Sequence, residues 1–533
     1  MFWHSRSAFV PLALSCAAAF VFIACEPGES ARPSGQAPTS TAATRLRRLS
    51  PRELRGALAD LTGVEVSESE LPDRPDAIGY DNGPALLDFS YDDTRRLADT
   101  AELVVREASR RRPSWIGAAC TNSAAAECRT SALAFAARAY RRELAPDEAE
   151  SLAALFDARM TSGLGAAHAA EGVAVAALVS PGFVYREELG TSVTEGARRL
   201  RPREIAESLA FYTTGSAPDE ALVLVGQKED LGDSAVRRRE ASRLLATPRG
   251  RATLRLFLEQ WLHATQVARV AKDPALYPEL VPELTSEMRT DLALTLDFEL
   301  AHEGSLASLL TTRVAFPGKR LGAIYGVPVT EPYAKVELDA ATRAGVLTRA
   351  GLLSVHSASD GSGPISRGLA LRDAFLCASL PPPPPGIPRA VASKTARTTR
   401  ERFAAHTSDP RCQGCHSRID GVGFGFEAYD GIGRYRTREA DVPIDDSGFL
   451  YDADQADGPF RGVPELERRL LESFALRSCF VRHVLRYTFG SGESHADQAL
   501  VLELSSRFRV DEPLATAFAE VAAHEAFVRR VAP

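Results

Sequence analysis

Apolar residues return at helical spacing along most of this chain. Leu54, Leu58 and Leu61 lie on one face of SPRELRGALADLTGV, and Ser50-Pro51-Arg52-Glu53 supplies an N-cap, a proline at the first helical position and an acid at the third. Leu49, just before the cap, is placed to staple onto Leu54. A further helical pair is expected over 115–165, where Ala145-Pro146-Asp147-Glu148 restarts a helix after a break. The longest amphipathic runs follow at Glu171–Val179, Arg203–Tyr212, Ala235–Leu245, Arg251–His263 and Pro282–Glu303. Alternating strand patterns are scarce. The pattern therefore predicts a mainly α, multidomain protein, in which aromatic positions such as Phe257 and Trp261 are packing residues.

Breaks in the pattern divide the chain. A length of 533 residues predicts several domains rather than one. We read a leader over 1–24, a Gly/Ser/Pro/Thr-rich linker over 25–44, a small helical domain over 45–110 and another over 111–165. A large helical domain over 166–335, a domain over 336–440 and a helical carboxy-terminal domain over 441–533 complete the chain. Within 336–440, Pro381 to Pro385 run without interruption into Gly386-Ile387-Pro388, the composition of a stiff polyproline II spacer. Recognition of that run by a proline-binding partner is the alternative.

The amino terminus decides the compartment. Arg6 is the last charge before an apolar run from Ala8 to Ala24, and the next charge is Glu26, which is the layout of a secretory signal. Ala24-Cys25 at its end resembles a bacterial lipoprotein signal, in which Cys25 is lipidated, although Phe22 stands where such signals usually carry leucine. Simple cleavage and a retained anchor are the other two readings. In each, the body is exported to the periplasm or the cell surface. With lipidation, it meets the membrane only through the amino-terminal lipid.

Composition narrows the classes. Hydrophobic residues at 45% and charged residues at 25% exclude wholesale disorder and a polytopic membrane protein. A net charge of −7 gives no reason to expect nucleic acid as a partner. Of the 63 basic residues only Lys228, Lys272, Lys319, Lys335 and Lys394 are lysines, an arginine bias read as composition rather than as phosphate recognition.

Export also changes how the cysteines are read, because exported thiols pair unless a metal or cofactor takes them. Cys120 and Cys128 are close enough for a local disulfide, and Cys377 with Cys479 is the natural second pair, a connectivity that sequence leaves open. The remaining two lie in Cys412-Gln413-Gly414-Cys415-His416, the C-x-x-C-H pattern of c-type haem attachment. Two thiols three positions apart add to the two vinyl groups of one haem, and the adjacent imidazole becomes the proximal iron ligand. Three rivals stand beside this reading: a redox-active thiol pair, a zinc knuckle completed by Cys377 and Cys479, and a plain Cys412–Cys415 disulfide. For the sixth iron position, methionine from the same module is excluded, since Met1, Met160 and Met288 all precede His416. His356, His406, His483 and His495 are the candidate distal ligands, and an open iron is the alternative. No G-x-S-x-G elbow supports serine hydrolase chemistry. Asp452 and Asp454 lack the pattern of a calcium loop and are read as a solvated loop.

Beyond these local signals, the chain resembles the large exported proteins of the planctomycete cytochrome-c-like group, also expanded in myxobacteria and built from several successive domains of unknown function. The resemblance spans about residues 45 to 495. It rests on Arg48-Leu49, Asp60–Val64 and Gly79–Asn82; on Arg138–Arg142; on Ser180-Pro181, Phe183, Tyr185-Arg186, Gln260–Leu262 and Tyr325-Gly326. It continues in Arg343–Gly345, Pro364, Arg367-Gly368, the proline run, Arg400–Arg402, Cys412–His416, Gly423-Phe424, Glu427, Asp430 and Gly433–Arg436, and ends in Cys479, Arg486-Tyr487 and Phe489-Gly490. Three departures are Ile419-Asp420-Gly421 where the group has Met-Asp-Pro, Gly363 for serine and Ser491 for arginine. The resemblance implies an exported helical protein with a cytochrome-c-like module in its carboxy-terminal third, and no established reaction. Arg434 and Arg436 are either salt-bridged structure or partners of haem propionates. The expected function is electron transfer to a redox partner through one covalent haem c. A peroxidase or oxygenase with an open iron, and a non-haem scaffold binding an envelope component, are the alternatives.

Overall fold

The computed structural model describes residues 45–72, 79–81, 90–122, 124–194, 196–343, 345–381, 396–408, 410–492, 494 and 497–531. The leader and linker with Cys25, together with Asn82, His495 and most of the proline run, lie outside the described residues. The first helix, Pro51–Thr62, forms as its sequence dictates. The Glu53 amide donates to the Ser50 hydroxyl at 3.2 Å, and the Ser50 amide donates to the Glu53 carboxylate at 2.8 Å. Leu49 and Leu54 are both buried in one apolar cluster. The later amphipathic runs become the helices Gly165–Val179, Pro202–Thr214, Ser234–Leu245, Pro248–Trp261 and Pro282–Ala301. The protein is mainly α.

Strands are short and pair across long sequence distances. Arg45–Arg48 runs antiparallel to Tyr185–Glu188, and Arg529–Val531 joins Ala197–Arg199 and Thr191–Thr194 in a three-stranded sheet. At two to four residues each, they give too few positions for an alternating pattern to register in the sequence.

The described residues, between 45 and 531, belong to one compact unit. One apolar cluster gathers residues from Leu49 to Phe211, and a larger one takes Leu209, Trp261, Val422, Phe426, Phe480 and Phe518 together. The cysteine-bearing segment thus shares its core with the large helical region and the carboxy-terminal helices. Val422, Phe426 and Tyr429, in and after that segment, are buried in this shared core. Phe257 and Trp261 are core residues, and the indole of Trp261 donates to the Ala374 carbonyl at 2.7 Å.

The arginine bias has a structural use that composition did not disclose. Arg237 is fully buried and donates to the carbonyls of Ala522 and Ala523 at 2.7 Å each, closing the carboxyl end of the helix Leu514–Ala523. Arg343 likewise reaches the carbonyls of Thr348 and Gly433. A guanidinium serves several carbonyls at once, which an ammonium on a flexible stem does not.

Candidate cofactor site

Cys412, Cys415 and His416 lie on the helix Pro410–Gly423. Positions 412, 416, 419 and 420 share one face at i, i+4, i+7 and i+8, and Ile419 and Asp420 are buried there. The helix is clamped on two sides. On one, Pro364–Leu371 approaches so closely that a Cβ at Gly368 would sit 2.2 Å from the Ile419 carbonyl oxygen, and one at Gly423 2.0 Å from that of Pro364. On the other runs the strand Ser447–Leu450, and the preceding helix Thr399–Ser408 also packs against it.

Cys412 is half-buried and Cys415 exposed, and neither is in a disulfide. The other four cysteines of the described residues are paired, Cys120 with Cys128 and Cys377 with Cys479. A Cys412–Cys415 disulfide is not formed, and Cys377 and Cys479, bonded to each other, have no thiolates to complete a zinc knuckle. Their sulfurs lie near a His483 nitrogen in a grouping that resembles a metal site, but the bond between them takes both donors.

His416 is held from below. Its Nδ1 lies 3.1 Å from Oδ1 of Asp420, a fully buried carboxylate one helical turn on. Burial pushes the Asp420 carboxyl up to about 6, against the opposing hydrogen bond and charge of His416. With Nδ1 engaged, Nε2 is the ring atom through which His416 would take a metal. Two unpaired thiols three residues apart, beside an imidazole so oriented, fit the donor set of a covalent haem. Asp420 was missed as a functional partner. Its signal was available, in the four-residue spacing from His416 on a helix.

Arg434, Arg436, His483 and His356 have partners of their own. Arg434 pairs with Glu279 at 2.7 Å, and Arg436 pairs with Glu427 at 3.4 Å and Glu439 at 3.6 Å, so both guanidiniums are in ion pairs that brace the segment after the motif. Glu427 is buried and also accepts from Ser362 at 2.8 Å, while Arg367 donates to the carbonyls of Phe426, Tyr429 and Asp430. Asp452 is exposed on a loop, as expected, and is also in ion pairs. It binds the buried Arg372 at 2.7 Å and faces Arg418 of the motif helix at 3.6 Å. His483 Nδ1 is 2.8 Å from the Tyr80 hydroxyl. His406 is on the helix Thr399–Ser408, with its side chain outside the described residues.

His356 faces His263 across 5.4 Å between ring centroids, in a cavity of ≈ 50 Å³ lined by Leu353, Arg367, Phe375 and Phe426. Burial, with help from the charges of His263 and Arg367, pushes its imidazole down to about 4 from 6.5. Between those values the unfolded chain binds this proton and the folded chain does not. Stability from this site is therefore intact above pH 6.5 and falls as the pH drops toward 4, by about 3 kcal/mol. His356→Leu should remove that part of the acid sensitivity. Melting temperatures of the two proteins at pH 7 and pH 4.5 check it, and parallel losses in both would refute it.

Five family models match the chain in succession, each described as a protein of unknown function. DUF1587 covers residues 47–110, DUF1595 covers 127–188, DUF1592 covers 200–327, DUF1588 covers 343–439 and DUF1585 covers 457–527. The DUF1588 segment holds Cys412, Cys415, His416 and Asp420. No curated protein and no solved structure matches the chain. Among the described residues, no helix is long and apolar enough to cross a membrane.

Proposed function

Because these five domains in one chain make it a member of the planctomycete cytochrome-c-like multidomain family, we propose that the protein carries one covalent c-type haem and moves single electrons outside the cytoplasmic membrane. Cys412 and Cys415 are its thioether anchors, and His416 is the proximal ligand through Nε2. The observation that carries this reading is the contrast among the cysteines: four are spent in two disulfides, and the two of the C-x-x-C-H motif are left as thiols. When bound, the haem supplies a one-electron couple.

The residues around the motif hold the ligand in place. Gly368 and Gly423 allow the close helix contact that fixes the axis of Pro410–Gly423. Arg372 and Arg418 share Asp452, which ties that helix to the loop beyond it. Neither described methionine packs in the core that holds Val422 of the motif helix. Met288 is buried in a different cluster with Val267 and Tyr325, and Met160 packs on the amino-terminal core. The exported body is tethered by lipid at Cys25, so the redox partner meets it at the membrane surface.

The test is expression of the full chain, with its own leader, in a host that matures c-type haem. The intact mass should exceed that of the mature apoprotein by one haem, with a pyridine haemochrome spectrum to match. Cys412→Ser/Cys415→Ser should lose both. Unmodified mass in the exported wild-type chain would overturn the reading, and rapid cyanide binding by the ferric protein would reassign the haem from electron carrier to ligand-binding enzyme.

A further inference from the structure

A buried carboxylate costs several kcal/mol to desolvate unless something compensates it. Asp420 is fully buried on the helix Pro410–Gly423, one turn after His416, while the His416 side chain is 24% exposed. Their Oδ1–Nδ1 contact of 3.1 Å joins a buried acceptor to a ring at the surface of the site. Such a pairing does three things to an imidazole that ligates a metal. It keeps the proton on Nδ1, it fixes the plane of the ring, and it raises the donor strength of Nε2. The wall behind Asp420 is rigid, since Ile419 meets Gly368 on one side and Gly421 lies against Gly448 and Phe449 on the other. The carboxylate therefore has little freedom to turn away.

We propose that Asp420 is the positioning residue of the haem site, acting through His416 to hold the iron in its ferric state and so set the direction in which this chain passes electrons. This rests on the haem reading above. A carboxylate hydrogen-bonded to the proximal imidazole gives that ring imidazolate character, which stabilises the more highly charged iron. The effect adds to the lack of a methionine after His416, since thioether ligation raises the potential. A carrier biased in this way is a ready one-electron donor. Its electrons must come from a stronger reductant, a class of partner that the geometry of Asp420 selects without touching it.

The experiment uses the haem-loaded full chain and two variants, Asp420→Asn and Asp420→Glu, with haem content, redox titration and the NMR of the ferric protein as readouts. Asp420→Asn keeps a hydrogen-bond acceptor but removes the charge. It should retain its haem, and at a fixed solution potential its ratio of ferrous to ferric protein should rise at least tenfold, equivalent to ~59 mV for one electron. Asp420→Glu keeps the charge and should stay within about threefold of wild type. In the wild-type ferric protein, the Nδ1 proton of His416 should give a hyperfine-shifted resonance that exchanges slowly with solvent. That measurement stands even where a variant fails to fold. A haem-loaded Asp420→Asn with an unchanged ratio, or a freely exchanging Nδ1 proton in wild type, overturns the role of Asp420 while leaving the haem in place. A wild-type chain without haem overturns both readings together.

Discussion

Glu188→Ala should lower the stability of the protein by about 3–5 kcal/mol, a large fraction of what a native fold has to lose. Glu188 is the acid that four arginines share. Arg530 reaches its carboxylate at 3.0 Å, and Arg45, Arg47 and Arg186 lie at 3.7, 3.7 and 3.8 Å. Burial by itself would push the Glu188 carboxyl up, but Arg530, Arg186, Arg45 and Arg47 overcome it and hold the group well below the ordinary carboxylate range. A depressed carboxyl stabilises the folded state above its unfolded value, so this contribution is fully present above about pH 4.5 and is lost as the pH falls through the folded value. Removing the carboxylate takes from Arg47, Arg186 and Arg530, all nearly inaccessible, the acid they share, with Glu53 still acting on Arg47 and Glu207 on Arg186. Three strands meet at this point: Arg45–Arg48, Tyr185–Glu188 and Arg529–Val531. The variant should therefore loosen both ends of the described chain together, which amide hydrogen exchange reads directly. Glu188→Gln, which retains an acceptor for Arg530, should fall between wild type and alanine. A loss below about 1 kcal/mol in the alanine variant, the range of an exposed ion pair, would sink the argument.

That centre was invisible in the sequence, and the reason is physical. Each of its arginines sits in a short segment whose polar character reads as surface. Only the antiparallel register of Arg45 against Glu188, and of Arg530 against Arg198, brings them inside. Helices were legible because their signals are local. The capping of Pro51–Thr62 is written in Ser50, Pro51 and Glu53, and the run Ala235–Leu245 falls within the helix Ser234–Leu245. Strands of two to four residues offer no such signal, and their pairing partners lie hundreds of positions away.

The site divides along the same line. Cys412, Cys415 and His416 are recognisable by spacing alone, and His416 with Asp420 needs only the knowledge that the segment is helical. The cavity around His356 was out of reach. His263, Arg367 and Phe426 come to it from separate segments, and His263 does so with a left-handed backbone, φ 58°, that nothing in its neighbours announces. A site built on one helix can be read from a line of text. A site built between elements waits for the fold.

The same contrast between local and distant contacts gives the second large effect. Removing the Cys377–Cys479 disulfide should destabilise the protein about twice as much as removing Cys120–Cys128. The first closes 102 residues and the second closes 8. In the chain-entropy account, a closed loop of about a hundred residues is worth about 4.7 kcal/mol and one of eight about 2.5 kcal/mol, because the unfolded chain loses more freedom when distant points are joined. The long loop contains the whole motif helix, so the crosslink also limits how far Cys412–His416 can travel from the core while the chain is unfolded. Cys479 is buried on the helix Phe474–Phe489, and Cys377 follows the π-helical turn Arg372–Leu376 with a left-handed backbone, φ 49°. Paired substitutions, Cys377→Ala/Cys479→Ala and Cys120→Ala/Cys128→Ala, avoid a stray thiol in either protein. Denaturation under oxidising conditions compares them. Equal losses would mean that the folded-state packing of the sulfurs, not the length of chain they close, governs what each disulfide contributes.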